Sequence, residues 1–552
     1  MRRWWKESVF YQIYPRSFQD SNGDGVGDLR GIINRLDYLV YLGVDAIWLC
    51  PVYDSPNRDG GYDIRDYYAI LQDFGTMQDM MDLIQACTQH GLKIIMDLVA
   101  NHTSDENVWF IESRLSKNSS KRNWYIWKEG YGEAEPTNME SLFGGSAWEQ
   151  DTITGEYYLH LFSKHQPDLN LENPEVRDSI YSMMRWWLNR GISGFRMDAI
   201  TFLKKDQSYA RLSCIDGRPY ALVSDVCLNQ PGLLDFLHEM KELVLKPYNS
   251  VSVAEAPGIL PEQLTDFVDE RNGVFDMIIT FDHVDVDTIG LPKGKIRQWD
   301  LKSFKHAFTV WQEAAIPEGW IALYLENHDQ VRSVSKFGND GRYRIESAKM
   351  LAVWFMLMRG TPFIYQGQEI GMTNCPFTSI REYRDIDGLN YYWGAISRGE
   401  PEEEALKYLS IKGRDHARTP MQWSGKKNAG FSEGKPWIQV NPNHIDINVE
   451  QSLGDGDSIL QFYRALIRLR RKNKALVYGD YKEIMKDSNE VGGYVRTYGN
   501  VRFTVICNFT ECEVEMRDDP SLIGNKTVLS NVDEHKFGIL QPYEAIVLRS
   551  HV

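Results

Sequence analysis

Three separate stretches of this chain read as a buried β-strand that runs out at an acidic residue. They are Gly194-Phe195-Arg196-Met197-Asp198, Ser250-Val251-Ser252-Val253-Ala254-Glu255, and Ile321 to Leu325 followed by Glu326-Asn327-His328-Asp329. One carboxylate at the mouth of an apolar strand is readily a structural ion pair. Three of them point to strands that deliver their charges to one place, as barrels of alternating strands and helices do at the C-terminal ends of their strands. Alternate side chains of a strand share a face, so Arg196 and Asp198 project together while Phe195 and Met197 point the other way. A guanidinium beside Asp198 keeps that carboxylate ionised. The approach to Glu255, Val251-Ser252-Val253-Ala254, is small and apolar.

The rest of the chain supplies the alternation such a barrel needs. Apolar, β-branched or aromatic runs occur at Val9 to Tyr14, Ala46 to Cys50, Lys93 to Asp97, Gly194 to Asp198, Val251 to Glu255, Asp276 to Phe281, Ile321 to Leu325 and Pro362 to Tyr365. Amphipathic helical periods fall between them, at Ile32 to Leu42, Met77 to His90, Val176 to Arg190, Leu233 to Leu245 and Ile345 to Met358. The pattern predicts an α/β fold, a TIM (β/α)8 barrel, in residues 1–102 and 171–476. Residues 103–170, rich in Ser, Gly, Asn, Trp and Tyr, are too long for an ordinary βα-loop and predict a small inserted domain after the third strand. Beyond the helix Ile459 to Lys472, short alternating runs such as Val501 to Asn508 and Ala545 to Leu548 predict a C-terminal antiparallel β-domain over residues 477–552.

Composition narrows the partners. The formal charge of -16 repels phosphate backbones and anionic headgroups, so nucleic acid and membrane surfaces are not expected partners. A small neutral ligand fits better, bound by a monomer or weak oligomer. The seven cysteines, an odd number, have no metal-type spacing, and the amino terminus lacks the apolar core of a signal peptide; a reduced, cytoplasmic compartment is expected.

Gly194 to Asp198, the Glu255 strand, Asn327-His328-Asp329 and the earlier Asp97-Leu98-Val99-Ala100-Asn101-His102 resemble, in order and spacing, the four signature regions of the α-amylase family of glycoside hydrolases. Tyr11 to Phe18, Gln166-Pro167-Asp168-Leu169-Asn170 and Ala417-Arg418-Thr419-Pro420-Met421-Gln422-Trp423 resemble its oligo-1,6-glucosidase, dextran glucosidase and sucrose isomerase branch. The resemblance implies that Asp198 is the nucleophile, Glu255 the general acid/base and Asp329 the transition-state stabiliser of a retaining α-glucosidase. It further implies that His102, Gln166 and His328 meet the bound glucose and that Arg196 orients the nucleophile. Asp59-Gly60-Gly61-Tyr62-Asp63 resembles a substrate loop in which Tyr62 offers a flat face to the sugar and Asp59 joins Arg414 to close the pocket for exo-action. Phe143 and Phe162 are expected to line that pocket. Ala199 stands where 1,6-preferring relatives usually carry Val and 1,4-preferring ones Thr. Ala256-Pro257 replaces an aromatic residue of sucrose isomerases. An α-1,4-glucosidase, a sucrose isomerase, a trehalose-6-phosphate hydrolase and a non-catalytic amylase-like protein are the competing readings.

Asp20-Ser21-Asn22-Gly23-Asp24-Gly25-Val26-Gly27-Asp28 places oxygen donors at alternate positions. It begins like an EF-hand loop but carries Gly31 at the twelfth position, and it resembles the family's structural Ca2+ site, with Asp20, Asn22, Asp24, the Val26 carbonyl and Asp28 as ligands. The alternative is an Asx-rich turn without an ion. No metal is expected in catalysis.

Overall fold

The computed structural model describes residues 3–132, 134–209, 212–214, 220–289, 295–516, 526–533, 535–536 and 538–551. Its centre is an eight-stranded parallel sheet: β1 (Phe10–Ile13), β2 (Ala46–Leu49), β3 (Lys93–Val99), β4 (Gly194–Asp198), β5 (Val251–Glu255), β6 (Met277–Ile279), β7 (Ala322–Leu323) and β8 (Thr361–Tyr365). The spatial order is β6-β5-β4-β3-β2-β1-β8-β7, and a parallel bridge from Ile278 to Ile321 joins the two ends into a barrel. All eight predicted strands are present. The seventh is shorter than the sequence implies, because only Ala322 and Leu323 pair with β8. Asp329 therefore stands in the loop beyond β7 rather than at a strand tip.

Parallel strands buried on both faces need apolar side chains on both. Phe195, Met197, Met96 and Leu98 face the helices, while Ile95, Val251, Val253, Met277, Ile279, Phe363 and Trp48 fill the barrel. Trp5 and Trp320 meet edge to face at 6.1 Å within the same interior cluster. Toward the C-terminal ends the inward positions turn polar, at Asp97, Arg196, Asp198 and Glu255.

The helices begin where local chemistry satisfies their free amides. Thr76 and Asp79 form a reciprocal capping box at Met77–Gln89; Asn173 caps Pro174–Leu188 with proline at the first turn; Ser458 caps Ile459–Lys472. The stretch read as one helix from Ile32 to Leu42 is two, Leu29–Ile33 and Leu36–Leu42, the first capped by Asp28.

Residues 103–170 carry the helix Val108–Arg114 and a three-stranded antiparallel sheet of Trp127–Lys128, Tyr157–Leu159 and Trp148–Gln150. Their core is not self-contained. Ile126, Trp148, Leu159 and Leu161 pack with Ala199, Phe202, Val223, Val226 and Cys227 from the connection after β4, and Met139–Glu140 pairs in parallel with Ala221–Leu222. A second excursion, between β8 and Ile459, contains the helices Ile386–Ser397 and Glu402–Lys412 and was not singled out by the sequence patterns. The final antiparallel sheet runs Asp480–Ile484, Val491–Tyr498, Val501–Asn508, Ala545–His551 and Lys526–Ser530 in spatial order.

Gly194 opens β4 at φ +159°, where an added Cβ would lie 1.9 Å from the Val251 carbonyl oxygen of β5. Neither backbone can yield without breaking the β4 to β5 register. Gly194→Ala is expected to cost about 3 kcal/mol or more, read as a fall in unfolding midpoint or loss of soluble protein.

Candidate active site

One guanidinium organises the floor of the barrel mouth. Arg196, 1% exposed, donates from Nη1 to Asp97 Oδ1 at 2.6 Å and to Asp198 Oδ1 at 2.7 Å, and from Nη2 to Glu255 Oε1 at 2.5 Å. Adjacent strands in register explain the meeting, since Arg196 lies opposite Asp97 on β3 and Val253 on β5. Full ionisation of three carboxylates around one cation would leave two buried negative charges uncompensated. Burial pushes Asp97 up to about 6 despite Arg196 and the hydrogen bond from Trp48. Burial also drives Asp198 well upward, with Arg196 opposing it and Glu255 and Asp97 adding to it. A lone Arg196–Asp198 pair, expected to keep Asp198 ionised, is thus not what the fold builds. Nor are the surroundings of Glu255 simply apolar. Its second oxygen accepts the Ala199 amide at 3.0 Å.

Ala199 adopts φ 47°, ψ 41°, a left-handed conformation costly for a residue with a Cβ. The turn ends β4 and aims the Ala199 amide at Glu255.

Asp329 is held from three sides. His328 Nε2 lies 3.0 Å from its Oδ2, and Arg414 Nη1 and Arg418 Nη2 donate to its Oδ1 at 3.0 and 2.9 Å. The two arginines and His328 outweigh burial and hold Asp329 far below the ordinary carboxylate range. Gln12 Nε2 stands 2.8 Å from His328 Nδ1. Since an amide nitrogen can only donate, the His328 proton is assigned to Nε2. Burial lowers both His102 and His328 to about 3, so both rings are neutral at physiological pH.

The predicted pocket wall is also assembled. Asp59 is buried; its Oδ1 takes Arg414 Nη2 at 3.2 Å and its Oδ2 takes Gln166 Nε2 at 3.0 Å, while Gln166 lies 3.1 Å from His102 Nε2. Asp59 pairs with Arg414 rather than with its chain neighbour Arg58, which pairs with Glu106. One face of Tyr62 is already occupied. Its ring stacks on His328 at 5.4 Å and 12°, and its hydroxyl reaches His328 Nε2 at 2.7 Å and Asp97 Oδ2 at 3.3 Å. Phe162 joins His102 at 5.0 Å and Phe143 at 5.6 Å, and Arg414 lies over the Phe143 ring at 5.4 Å. All twelve residues expected at the catalytic and substrate positions thus fall into this one connected constellation.

Three participants escaped sequence reading. Arg418 lay inside a motif already noticed, but no role was drawn for it. Asp385 caps the helix Ile386–Ser397 and receives both Arg414 and Arg418. Lys205 is buried, with Nζ 2.7 Å from Asn101 Oδ1 and 3.0 Å from Asp168 Oδ2. It ties the connection after β4 to the end of β3 and to the last residues of the insertion.

The glycine-rich loop stitches itself with backbone amides. Asp20 accepts the amides of Asn22, Gly23 and Gly25 and the Ser432 hydroxyl, and Asp28 accepts those of Ser21 and Gly31. Asp24 accepts one donor on each oxygen, from Val26 N and Asn22 Nδ2, and so retains free lone pairs. Its all-oxygen donors suit a hard cation. Among the described residues, no three Asp, Glu, His or Cys side chains gather as a metal cluster.

The α-amylase catalytic-domain profile matches residues 12–479. The chain belongs to the α-amylase family. It is 49% identical to an oligo-1,6-glucosidase of Bacillus cereus over 99% of each chain, and 50% identical to that of Halalkalibacterium halodurans over 99% of this chain and 98% of the other. The crystal structure of an isomaltulose synthase from Klebsiella sp. LX3 covers 99% of each chain at TM-score 0.96 and 39% identity. The chain is thus a member of a family of glycoside hydrolases, with the barrel that its sequence motifs imply.

Removing Lys205 would leave Asp168 buried without its cation. Lys205→Met is expected to cost about 3 kcal/mol or more, measured by urea unfolding, and to speed proteolysis within residues 103–170.

Proposed function

We propose that this protein is an exo-acting, retaining α-glucosidase that hydrolyses terminal α-1,6-glucosidic bonds of isomalto-oligosaccharides, and also short α-1,4-glucosides, by double displacement. The observation that carries this reading is the attachment of Asp198 and Glu255 to the two terminal nitrogens of one guanidinium, inside a pocket ended by Asp59 and Arg414. Retaining hydrolysis needs two carboxyl groups about 5 to 5.5 Å apart, one ionised and one protonated. The crowded cluster around Arg196 supports that division, because its charge balance favours holding protons that a coupled pair can share. Asp198 attacks the anomeric carbon as the bond to the leaving oxygen breaks and Glu255 gives that oxygen its proton. Glu255, then ionised, takes a proton from water, which cleaves the glucosyl ester and frees Asp198. Asp329, kept anionic, faces the positive charge that develops on the ring.

A pocket closed at the non-reducing end accepts one terminal glucose, which supports exo-action. The small Ala199, and Ala256-Pro257 after the acid, leave room around the leaving group and support tolerance of both linkages. The likeness to isomaltulose synthase favours, as a second reading, isomerisation of sucrose within the same pocket. Rates on isomaltose, panose, maltose, sucrose, trehalose and trehalose-6-phosphate, with chromatography of products, separate these readings. Glucose release from isomaltose is expected. Cleavage of maltose with none of isomaltose would defeat the linkage assignment, and isomaltulose or trehalulose as the main product from sucrose would defeat the hydrolytic one. Asp198→Asn is expected to lower kcat at least about a thousandfold.

The same reading includes a structural Ca2+ held by Asp20, Asn22, Asp24, the Val26 carbonyl and Asp28, supported by the donor spacing and by the free lone pairs of Asp24. Chelation by EDTA is then expected to lower the unfolding midpoint by several degrees, restored by Ca2+; an unchanged midpoint would assign the loop to amide-stitched turns alone. The seven free thiols support a reducing, cytoplasmic setting, and among the described residues no helix is long and apolar enough to cross a membrane.

A further inference from the structure

Two arginines contact Asp329, and the same two contact a second carboxylate that is fully buried. Asp385 takes Arg414 in a forked pair, Nε to Oδ2 at 3.0 Å and Nη2 to Oδ1 at 2.6 Å, and takes Arg418 Nη1 on Oδ1 at 3.1 Å. Its side chain is 1% exposed. Its backbone is fixed from the other side, since the Asp385 amide lies 3.2 and 3.3 Å from the two oxygens of Asp415, and the Arg384 amide lies 2.9 Å from the first. Asp415 directly follows Arg414, so each segment grips the other, backbone in one direction and side chain in the other.

The geometry matters because a guanidinium prefers to meet a carboxylate through two parallel hydrogen bonds. Arg414 makes that forked contact with Asp385 alone. It keeps one bond for Asp329 through Nη1 and one for Asp59 through Nη2. Were Asp385 uncharged, the strongest contact left to Arg414 would be a forked one with Asp329 or Asp59, whose oxygens must instead serve the sugar hydroxyls. Arg418 would lose its only other carboxylate partner among the described residues, Asp329 being the first.

We propose that Asp385 is a positioning residue for glucoside hydrolysis, holding Arg414 and Arg418 off Asp329 and Asp59 so that both carboxylates stay aimed at the terminal glucose. This rests on the glucosidase reading and deepens it. Asp385 touches no reacting atom and acts through the two arginines.

Asp385→Asn and Asp385→Ser preserve an N-cap oxygen for Ile386–Ser397 while removing the charge. Hydrolysis of p-nitrophenyl α-glucoside by the full-length protein is the readout, with wild-type activity as the reference. If wild type itself were inactive, the glucosidase reading would fail. Given an active wild type, each variant is expected to lose about thirtyfold in kcat/KM, mostly as a rise in KM, with an unfolding midpoint within about 3 °C of wild type, the order of a bond to a charged group. In an Arg414→Ala background the Asp385→Asn loss is expected to shrink to about threefold, because most of what Asp385 positions is already gone. An unchanged kcat/KM, a loss of equal factor in both backgrounds, or failure of both variants to fold would overturn the proposal and leave Asp385 as a helix cap.

Discussion

The site depends on the division of one positive charge among three carboxylates. Arg196 is almost wholly buried and, among the described residues, pairs with no other acid. Its strand places it at the level where three neighbouring strands end, so the barrel closure that buries the guanidinium also brings Asp97, Asp198 and Glu255 to it. A buried ion pair is a poor source of net stability, since desolvation consumes most of the Coulombic gain. Its value here lies in orientation and in proton affinity. Crowded, desolvated carboxyl groups retain protons that isolated ones release, and a reaction that starts with proton donation draws on that reserve.

The opposite wall has the reverse electrostatics. Arg414 and Arg418 stand against Asp59, Asp329 and Asp385, and here cations are plentiful enough to hold the half-buried Asp329 deprotonated. Asp329 and Asp385 are thus held below the ordinary carboxylate range, opposite to Asp97 and Asp198, while burial raises Asp59, which among the described guanidinium groups pairs with Arg414 alone. The difference follows from how many guanidinium groups each carboxylate can reach. Neutral His102 and His328, packed against Phe162 and Tyr62, lie among these groups and contribute hydrogen bonds without adding charge.

Much of this was legible in the chain. The period-2 alternation of Gly194 to Asp198 placed Arg196 and Asp198 on one face, and apolar runs located all eight strands, because burial on both faces of a parallel sheet leaves a continuous apolar signature. The closure of Asp59 on Arg414, 355 residues apart, was legible only through resemblance. What failed to show were effects that require three dimensions. Local reading pairs Arg196 with Asp198 alone, whereas the neighbouring strands share it. Ile321 to Leu325 looks like a full strand, yet only Ala322 and Leu323 are paired with β8, with Ile321 bridging to Ile278 at the barrel seam. Asp385 and Lys205 are marked by nothing local in the chain, since neither lies in a periodic pattern that betrays burial. That one face of Tyr62 stacks on His328 is not a local property either.

The shared core between residues 103–170 and the connection after β4 bears on how this architecture can be recombined. The inserted segment looks like a removable module, but Trp148, Leu159 and Leu161 complete their packing with Phe202, Val223 and Cys227, and that connection begins at Ala199, whose amide fixes Glu255. A chimera that exchanges the insertion alone would therefore mismatch a hydrophobic interface whose strain leads straight back to Glu255. The unit of exchange is discontinuous, two stretches separated by a helix and a strand, and swapping specificity between relatives requires moving both together.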